Sequence, residues 1–352
     1  MSSHYKCIQF LGPEKFELVQ KNKPQLKSGD LLIKVKSTSI CGSDMRIFQF
    51  GNQRIIEPIV MGHEIAGEVV ESRDEAGIFS IGDRVSFGAD LPCHGCFHCN
   101  LGHFNRCEEH LAFGYQIDGG FAEMLHVPSN IVQNGPIQKF SSNLSFDEAA
   151  ITEPLACCLN GLEMSFCSKG LTFLILGAGP IGLLLIQLAR KLLDSPMVCV
   201  VEPSKSRREM ALRIGANLTF DSLDPDINTK LKDVVSNRGF HRVFTSNSNA
   251  TSHLLGLNNL SKGGILNFFG GISENSEKLN ISSNFLHYNE FGIMGSHGSN
   301  KQQNVKALEL IERGIIKTDF LITSKFNLLD ISHAFEKAMS GNELKVVINP
   351  ND

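Results

Sequence analysis

Residues 171–189 read LTFLILGAGPIGLLLIQLA, an apolar run that approaches the length of a membrane span. Its centre argues against one. GAGPIG would break a helix where a span should run smoothly. FLIL (173–176) reads instead as a buried strand, the glycines as a tight turn, and residues 180–193 as a helix. Pro180 falls near the helix start, where a missing N–H costs nothing. Gly177, Gly179 and Gly182 have GxGxxG spacing. The hexapeptide alone is weak and a merely structural turn would serve it, but strand before and helix after is the required context. Gly177 then allows the turn, Gly179 admits a pyrophosphate, and Gly182 lets helix and strand pack. The N–H groups at the helix start, around Pro180 and Ile181, face the anion.

The next apolar strand, MVCVVE (197–202), ends on Glu202, 20 residues after Gly182. A carboxylate there accepts the adenosine ribose hydroxyls and repels a 2′-phosphate, which favours NAD over NADP. Arg207 lies on the following charged helix, SKSRREMALRIG (204–215), against the adenine or the diphosphate side. A solvated helix face is the plainer reading for it. Further strands are expected at HRVFT (241–245), ILNFFG (265–270) and FGIMG (291–295). Strand–helix alternation favours an open parallel sheet, an α/β arrangement.

The first 150 residues lack helical rhythm. LLIKVKSTSI (31–40), IVMGHEIAGEVV (59–70) and IGDRVSFG (81–88) read as short strands between glycine turns, a mostly β region with the shape of a partly closed barrel. From FDEAAITEPLACCLNGLEMSF (146–166) the pattern is helical, and the tail adds helices at 302–313 and 330–340 and a strand, LKVVI (344–348). A length of 352 residues suits about two domains. With 33 basic and 37 acidic residues the charge balance gives no support for a nucleic-acid or membrane-surface partner. The start, MSSHYKC, has no apolar signal segment.

Four of the ten cysteines crowd into one stretch, Cys93, Cys96, Cys99 and Cys107. Four thiolates complete a tetrahedral zinc shell and leave no position for a substrate, so the expected role is structural. A CxxCxxC run also suits an iron–sulfur cluster, though no second cluster accompanies it. Cysteine usage favours a reducing compartment.

A second constellation is more dispersed. Cys41 ends a strand in CGSD, His63 and Glu64 stand in MGHEIAG, and Glu153 stands in TEPLACC. One thiolate, one imidazole and two carboxylates suffice for a zinc shell with an exchangeable water. A buried cysteine, a surface histidine and helix-cap acids would look the same in sequence. Ser43 is placed to relay a proton, and Asp44 to orient the His63 imidazole.

Together these motifs resemble the zinc-dependent medium-chain dehydrogenase/reductase family, and its polyol (sorbitol/iditol-like) branch in particular. CGSD (41–44), GHEIAG (62–67), GDRV (82–85), the 93/96/99/107 cysteines, EP (153–154) and GAGPIG (177–182) occur in family order over almost the whole chain. The resemblance implies a GroES-like β-barrel catalytic domain from residues 1–148 and 293–352, with the zinc lobe at 91–110. It implies a Rossmann doubly wound domain over 149–292. It further implies catalytic zinc on Cys41 and His63 with Glu64, Glu153 and water; Ser43 as relay hydroxyl; and Asp44 beside His63, itself paired with Lys345. Gly270 and Met294 become nicotinamide neighbours, and Phe48, Phe50, Tyr115, Glu153 and His297 pocket candidates. A cytosolic homodimer or homotetramer is implied as well.

Two positions depart from the family pattern. Arg46 stands where many members carry a shuttling histidine. A guanidinium stays protonated and suits a ribose, a substrate hydroxyl or a phosphate better. TSNSNA (245–250) stands where a glycine is common. The expected function is reversible oxidation of a secondary alcohol of a polyol, cyclitol or sugar derivative to its ketone, with two zinc ions and NAD. A phosphorylated polyol, a simple alcohol or an amino alcohol are the alternative substrates. A non-enzymatic NAD-binding zinc scaffold is the alternative of another class.

Overall fold

The computed structural model describes residues 3–272 and 279–351. The chain forms two compact units, one from the residues up to Ala156 with Gly298 onward, the other from Cys157–His297. The boundaries expected at 148/149 and 292/293 lie elsewhere. The chain leaves the first unit inside the continuous helix Thr152–Met164, so no loop marks the change. The strand Gly292–Gly295 stays with the second unit because it pairs in parallel with Leu260–Phe268.

In the first unit a seven-stranded sheet runs Ile137–Lys139, Arg84–Phe87, Glu64–Ser72, Leu31–Ser39, Lys345–Asn349, Ile322–Asn327, with Met124–Val127 also on Leu31–Ser39. A three-stranded sheet, Lys15–Asn22, His4–Gly12 and Ile59–Val60, and a two-stranded one, Asp90–Leu91 with Leu111–Ala112, lie beside it in the chain's first unit. The C-terminal strand pairs antiparallel with Leu31–Ser39, Val347 opposite Ser39 and Ile348 opposite Thr38. This pairing closes the discontinuous domain. Leu31, Ile33 and Val35 alternate inward against Val69, Val85, Phe87 and Leu125, as a half-covered strand requires. A second core gathers Phe10, Ile47, Phe121 and Phe335.

The second unit holds a six-stranded parallel sheet in the order Leu218–Phe220, Val198–Val201, Phe173–Leu176, Phe240–Thr245, Leu260–Phe268, Gly292–Gly295. In chain order this is 3-2-1-4-5-6, the doubly wound pattern whose strand order reverses beside Phe173–Leu176. The central strands are buried on both faces, which explains their unbroken apolar runs. The opening apolar run thus splits into strand Phe173–Leu176 and helix Pro180–Lys191. No helix among the described residues is long and apolar enough to cross a membrane.

Candidate active site

The strand Leu31–Ser39 delivers Cys41 to the N-cap of helix Gly42–Phe50. Asp44 accepts from the Cys41 backbone N–H at 2.9 Å, which fixes the cap. CGSD is therefore a helix start as well as a strand end. The helix escaped a purely periodic reading because Asp44 and Ile47 are its only buried residues. His63 precedes the strand Glu64–Ser72, and Ser39 lies opposite Glu64 in the antiparallel register. Hydrogen bonding between these two strands is what brings Cys41 to His63.

Ligand atoms of Cys41, His63 and Glu64 lie within 4.8 Å of one another. His63 Nδ1 stands 3.3 Å from the Asp44 carboxylate, an ion-pair separation without hydrogen-bond alignment. Its Nε2 faces Ser43 Oγ at 3.3 Å. Burial opposes a charge on this imidazole, yet Asp44 and then Cys41 outweigh it and hold its pKa well above the ordinary histidine range. Tyr115 adds a wall, its ring 5.7 Å from the imidazole; burial raises the pKa of its hydroxyl, and His63 partly offsets that rise.

One expectation changes here. Lys345 pairs with Glu64, not with Asp44: Nζ lies 2.5 Å from both Glu64 oxygens. The Ser39 hydroxyl donates to the same carboxylate. The register of the C-terminal strand places Lys345 beyond Ile40, over Glu64, and away from Asp44. Glu153 enters the same first unit on a separate element. It is buried in the first turn of helix Thr152–Met164, where its charge contributes to the field that raises the Lys345 pKa.

The pocket candidates divide. Tyr115 is at the site. Phe48 packs into the core, stacked on Phe16 at 4.6 Å and tilted on Phe335 at 5.2 Å, so it is no free wall. Phe50 is 77% exposed and Arg46 is exposed on the same helix. His297 belongs to the second unit, where its carbonyl accepts from Asn160. Sequence reading did not single out Ser39, whose hydroxyl carried no local signal.

The four lobe thiols also converge within 4.8 Å, all free of disulfides. Cys96 and Cys107 Sγ are 3.9 Å apart. Tetrahedral Zn–S bonds of about 2.3 Å set S···S near 3.8 Å, so the donor set fits zinc. The backbone N–H groups of Glu108 and Cys99 pull the Cys96 thiol down to about 6, poising it as a thiolate. Replacing Cys107 with serine will remove one metal ion per chain and open residues 91–110 to protease, by metal analysis and limited digestion. A variant lobe that stays resistant would exclude a folding role for that metal.

In the second unit the glycine turn has the geometry the sequence implies. Gly177 has φ +108°, and a Cβ on Gly182 would lie 2.0 Å from the Gly177 carbonyl. A Cβ on Gly179 would meet nothing within 4 Å, so that face is open. No side chain caps helix Pro180–Lys191, which leaves the N–H groups around Ile181 for an anion. Glu202 accepts from Ala178 N at 2.7 Å and from Ser204 N at 3.0 Å. A carboxylate has lone pairs left for ribose hydroxyls after two such bonds. Arg207 is half-buried on helix Lys205–Ile214. Gly270 follows strand Leu260–Phe268, its Cα close against Asn247, and Met294 lies on the edge strand Gly292–Gly295.

The unusual TSNSNA segment has a visible role in this turn. Ser246 Oγ lies 2.9 Å from the Gly177 carbonyl and 3.0 Å from that of Leu176. Asn247 Nδ2 donates to Leu176 O at 2.9 Å. The polar residues clamp the turn from the neighbouring strand end.

Comparison with known proteins agrees with this architecture. The alcohol dehydrogenase GroES-like domain model matches residues 27–136, and the zinc-binding dehydrogenase model matches residues 180–313. L-threonine 3-dehydrogenase of Pyrococcus furiosus is 33% identical, over 94% of this chain and 94% of its own length. D-arabitol-phosphate dehydrogenase of Enterococcus avium is 28% identical, over 97% of this chain and 95% of its own. A zinc-binding dehydrogenase structure from Sinorhizobium meliloti, with NADP bound, is 27% identical with a TM-score of 0.89, covering 99% of this chain and 100% of its own. A sugar-alcohol phosphate enzyme and an amino-acid enzyme both match, so the similarity does not single out the polyol branch. The two ligand clusters match a two-zinc site.

Proposed function

Since this chain belongs to the zinc-dependent medium-chain dehydrogenase/reductase family, we propose that it oxidises a secondary alcohol of a polyol, cyclitol or sugar derivative to the ketone with NAD. The observation that carries the reading is the convergence of Cys41 and His63 with Ser43 beside the His63 Nε2. When bound, zinc supplies Lewis-acid stabilisation of charge developing on the substrate oxygen, and NAD supplies the hydride acceptor.

The chain's own groups do the rest. Asp44 presents a carboxylate to Nδ1, which turns Nε2 toward the metal side. Ser43 Oγ, beside His63, relays the substrate hydroxyl proton, accepting it as its own proton passes on to water. Arg46 is not needed in this path. The Glu64–Lys345 pair fixes a neutralised buried carboxylate beside the cluster. Cys41 and His63 hold the metal, with Glu64 near enough to join them. In the second unit, Gly177, Gly179, Pro180, Ile181 and Gly182 receive the pyrophosphate, and Glu202 the adenosine ribose, with Arg207 alongside.

The test is a panel of polyols, cyclitols, simple alcohols and amino alcohols with zinc-loaded protein, followed by nicotinamide absorbance. Reduction of NAD by a polyhydroxy secondary alcohol is the expected result. Failure with every alcohol and both cofactors would sink the reading and favour a non-enzymatic scaffold. Glu202 supports NAD through repulsion of a 2′-phosphate. Glu202→Ala is therefore expected to narrow the NAD over NADP preference in kcat/KM by about tenfold or more, on the order of a lost ionic contact. An unchanged ratio would remove Glu202 from cofactor choice. The reading includes a homodimer or homotetramer, which light scattering measures.

A further inference from the structure

We infer that Arg54 is an anion-binding residue, and that the alcohol this enzyme oxidises carries a phosphate or carboxylate a short carbon chain away from its reacting hydroxyl. The inference rests on the dehydrogenase reading and adds the charge of the substrate.

The contacts run outward from the metal cluster. Ser43 Oγ faces His63 Nε2 at 3.3 Å, and the Tyr115 ring lies 5.7 Å from the same imidazole. The Arg54 guanidinium lies over the Tyr115 ring, 5.0 Å from its centroid. An aromatic face attracts and orients a guanidinium without neutralising it. Arg54 Nη2 donates to His110 Nδ1 at 2.8 Å. With Nδ1 accepting, His110 carries its proton on Nε2, which donates to Asp90 at 2.6 Å. An imidazole in this tautomer is uncharged. Asp90 also accepts from the Ser299 backbone N–H at 2.7 Å.

Among the described residues, no salt bridge joins a carboxylate to Arg54 directly; Asp90 is reached through His110. A half-buried guanidinium is thus fixed by two neutral partners, one ring away from the His63 imidazole. Arginine in a fixed fork is suited to oxyanions, and charge-assisted bonds of this kind are the strong ones. Arg46, the basic residue that stands out in the sequence, lies exposed on helix Gly42–Phe50. Arg54 is the one that lies over the ring packed beside His63. A solely structural stack is the competing account.

Two matched substrate pairs test this with zinc-loaded protein and NAD: a pentitol against its terminal phosphate monoester, and a secondary alcohol against the hydroxy acid of the same skeleton. The anionic member of one pair is expected to win by about 10- to 100-fold in kcat/KM, and which pair shows it identifies the anion. Arg54→Met should collapse that preference, and Arg54→Lys should restore part of it. Inorganic phosphate, titrated calorimetrically, should bind the wild type saturably and bind Arg54→Met much more weakly. Equal kcat/KM within both pairs, or a preference that survives Arg54→Met, would overturn the inference. So would the absence of phosphate binding together with no carboxylate preference. If no alcohol of either pair reduces NAD, the dehydrogenase reading fails on its own, and phosphate binding still decides the role of Arg54.

Discussion

Replacing Cys41 with serine will leave one zinc per chain instead of two and lower alcohol oxidation by about 10³-fold or more. Cys41 is held at a helix N-cap by Asp44, and its Sγ lies within 4.8 Å of ligand atoms of His63 and Glu64. A serine hydroxyl is a harder and more weakly acidic donor than a thiolate, so it cannot take over the bond. The lobe thiols form a separate cluster and should keep their metal. Metal analysis beside steady-state kinetics checks both halves. Loss of activity with two zincs retained would show that Cys41 acts other than as a ligand. Retained activity with one zinc would move the chemistry away from this cluster.

The largest effect on stability is expected from Lys345→Met. Lys345 and Glu64 are both buried and bonded to each other, so removal of the ammonium strands a buried carboxylate. Breaking such a pair costs about 3–5 kcal/mol, although the intact pair contributes much less than that on balance. Urea unfolding with metal content measured alongside should show the loss. Adding Glu64→Gln should recover a large part of it, because the stranded charge is then gone. A double variant no more stable than Lys345→Met would mean that packing of the lysine stem, and not charge, is what matters.

The same pair gives a pH dependence with a definite sign. Burial lowers the Lys345 pKa, but Glu64 and then Cys41 overcome it, so the net shift is upward. A group whose folded pKa lies above its unfolded value adds stability that is fully present below the unfolded value. That stability is lost as pH rises through the folded value. Stability should therefore hold through neutrality and fall on the alkaline side of the ordinary lysine range. The fall should be absent in the Lys345→Met, Glu64→Gln protein.

Much of the second unit was legible in the sequence. Its strands are buried on both faces, so FLIL and VCVV stand out as apolar runs, and a glycine turn with a proline-started helix is written locally. The strands Leu218–Phe220 and Lys15–Asn22 were not legible, because none of their residues is buried and no apolar face marks them. At the candidate site, ligand types and order were readable, since thiol and imidazole donors are rare and chemically distinct. Phe48, read as a pocket candidate, packs against the first unit's core. An aromatic residue on a short helix serves core and cavity equally well, and only its stack on Phe16 decides.

The sequence by itself determined two sets of thiol-bearing metal ligands, a pyrophosphate turn with an acid after the next strand, and a β region followed by an α/β one. Each depends on short-range chemistry or on side-chain period, which a local stretch contains in full. Tertiary structure alone decided which carboxylate Lys345 neutralises and that Arg54 lies on Tyr115. These contacts join residues from distant parts of the chain. They depend on strand register, and a slip of one residue would turn every side chain concerned to the opposite face.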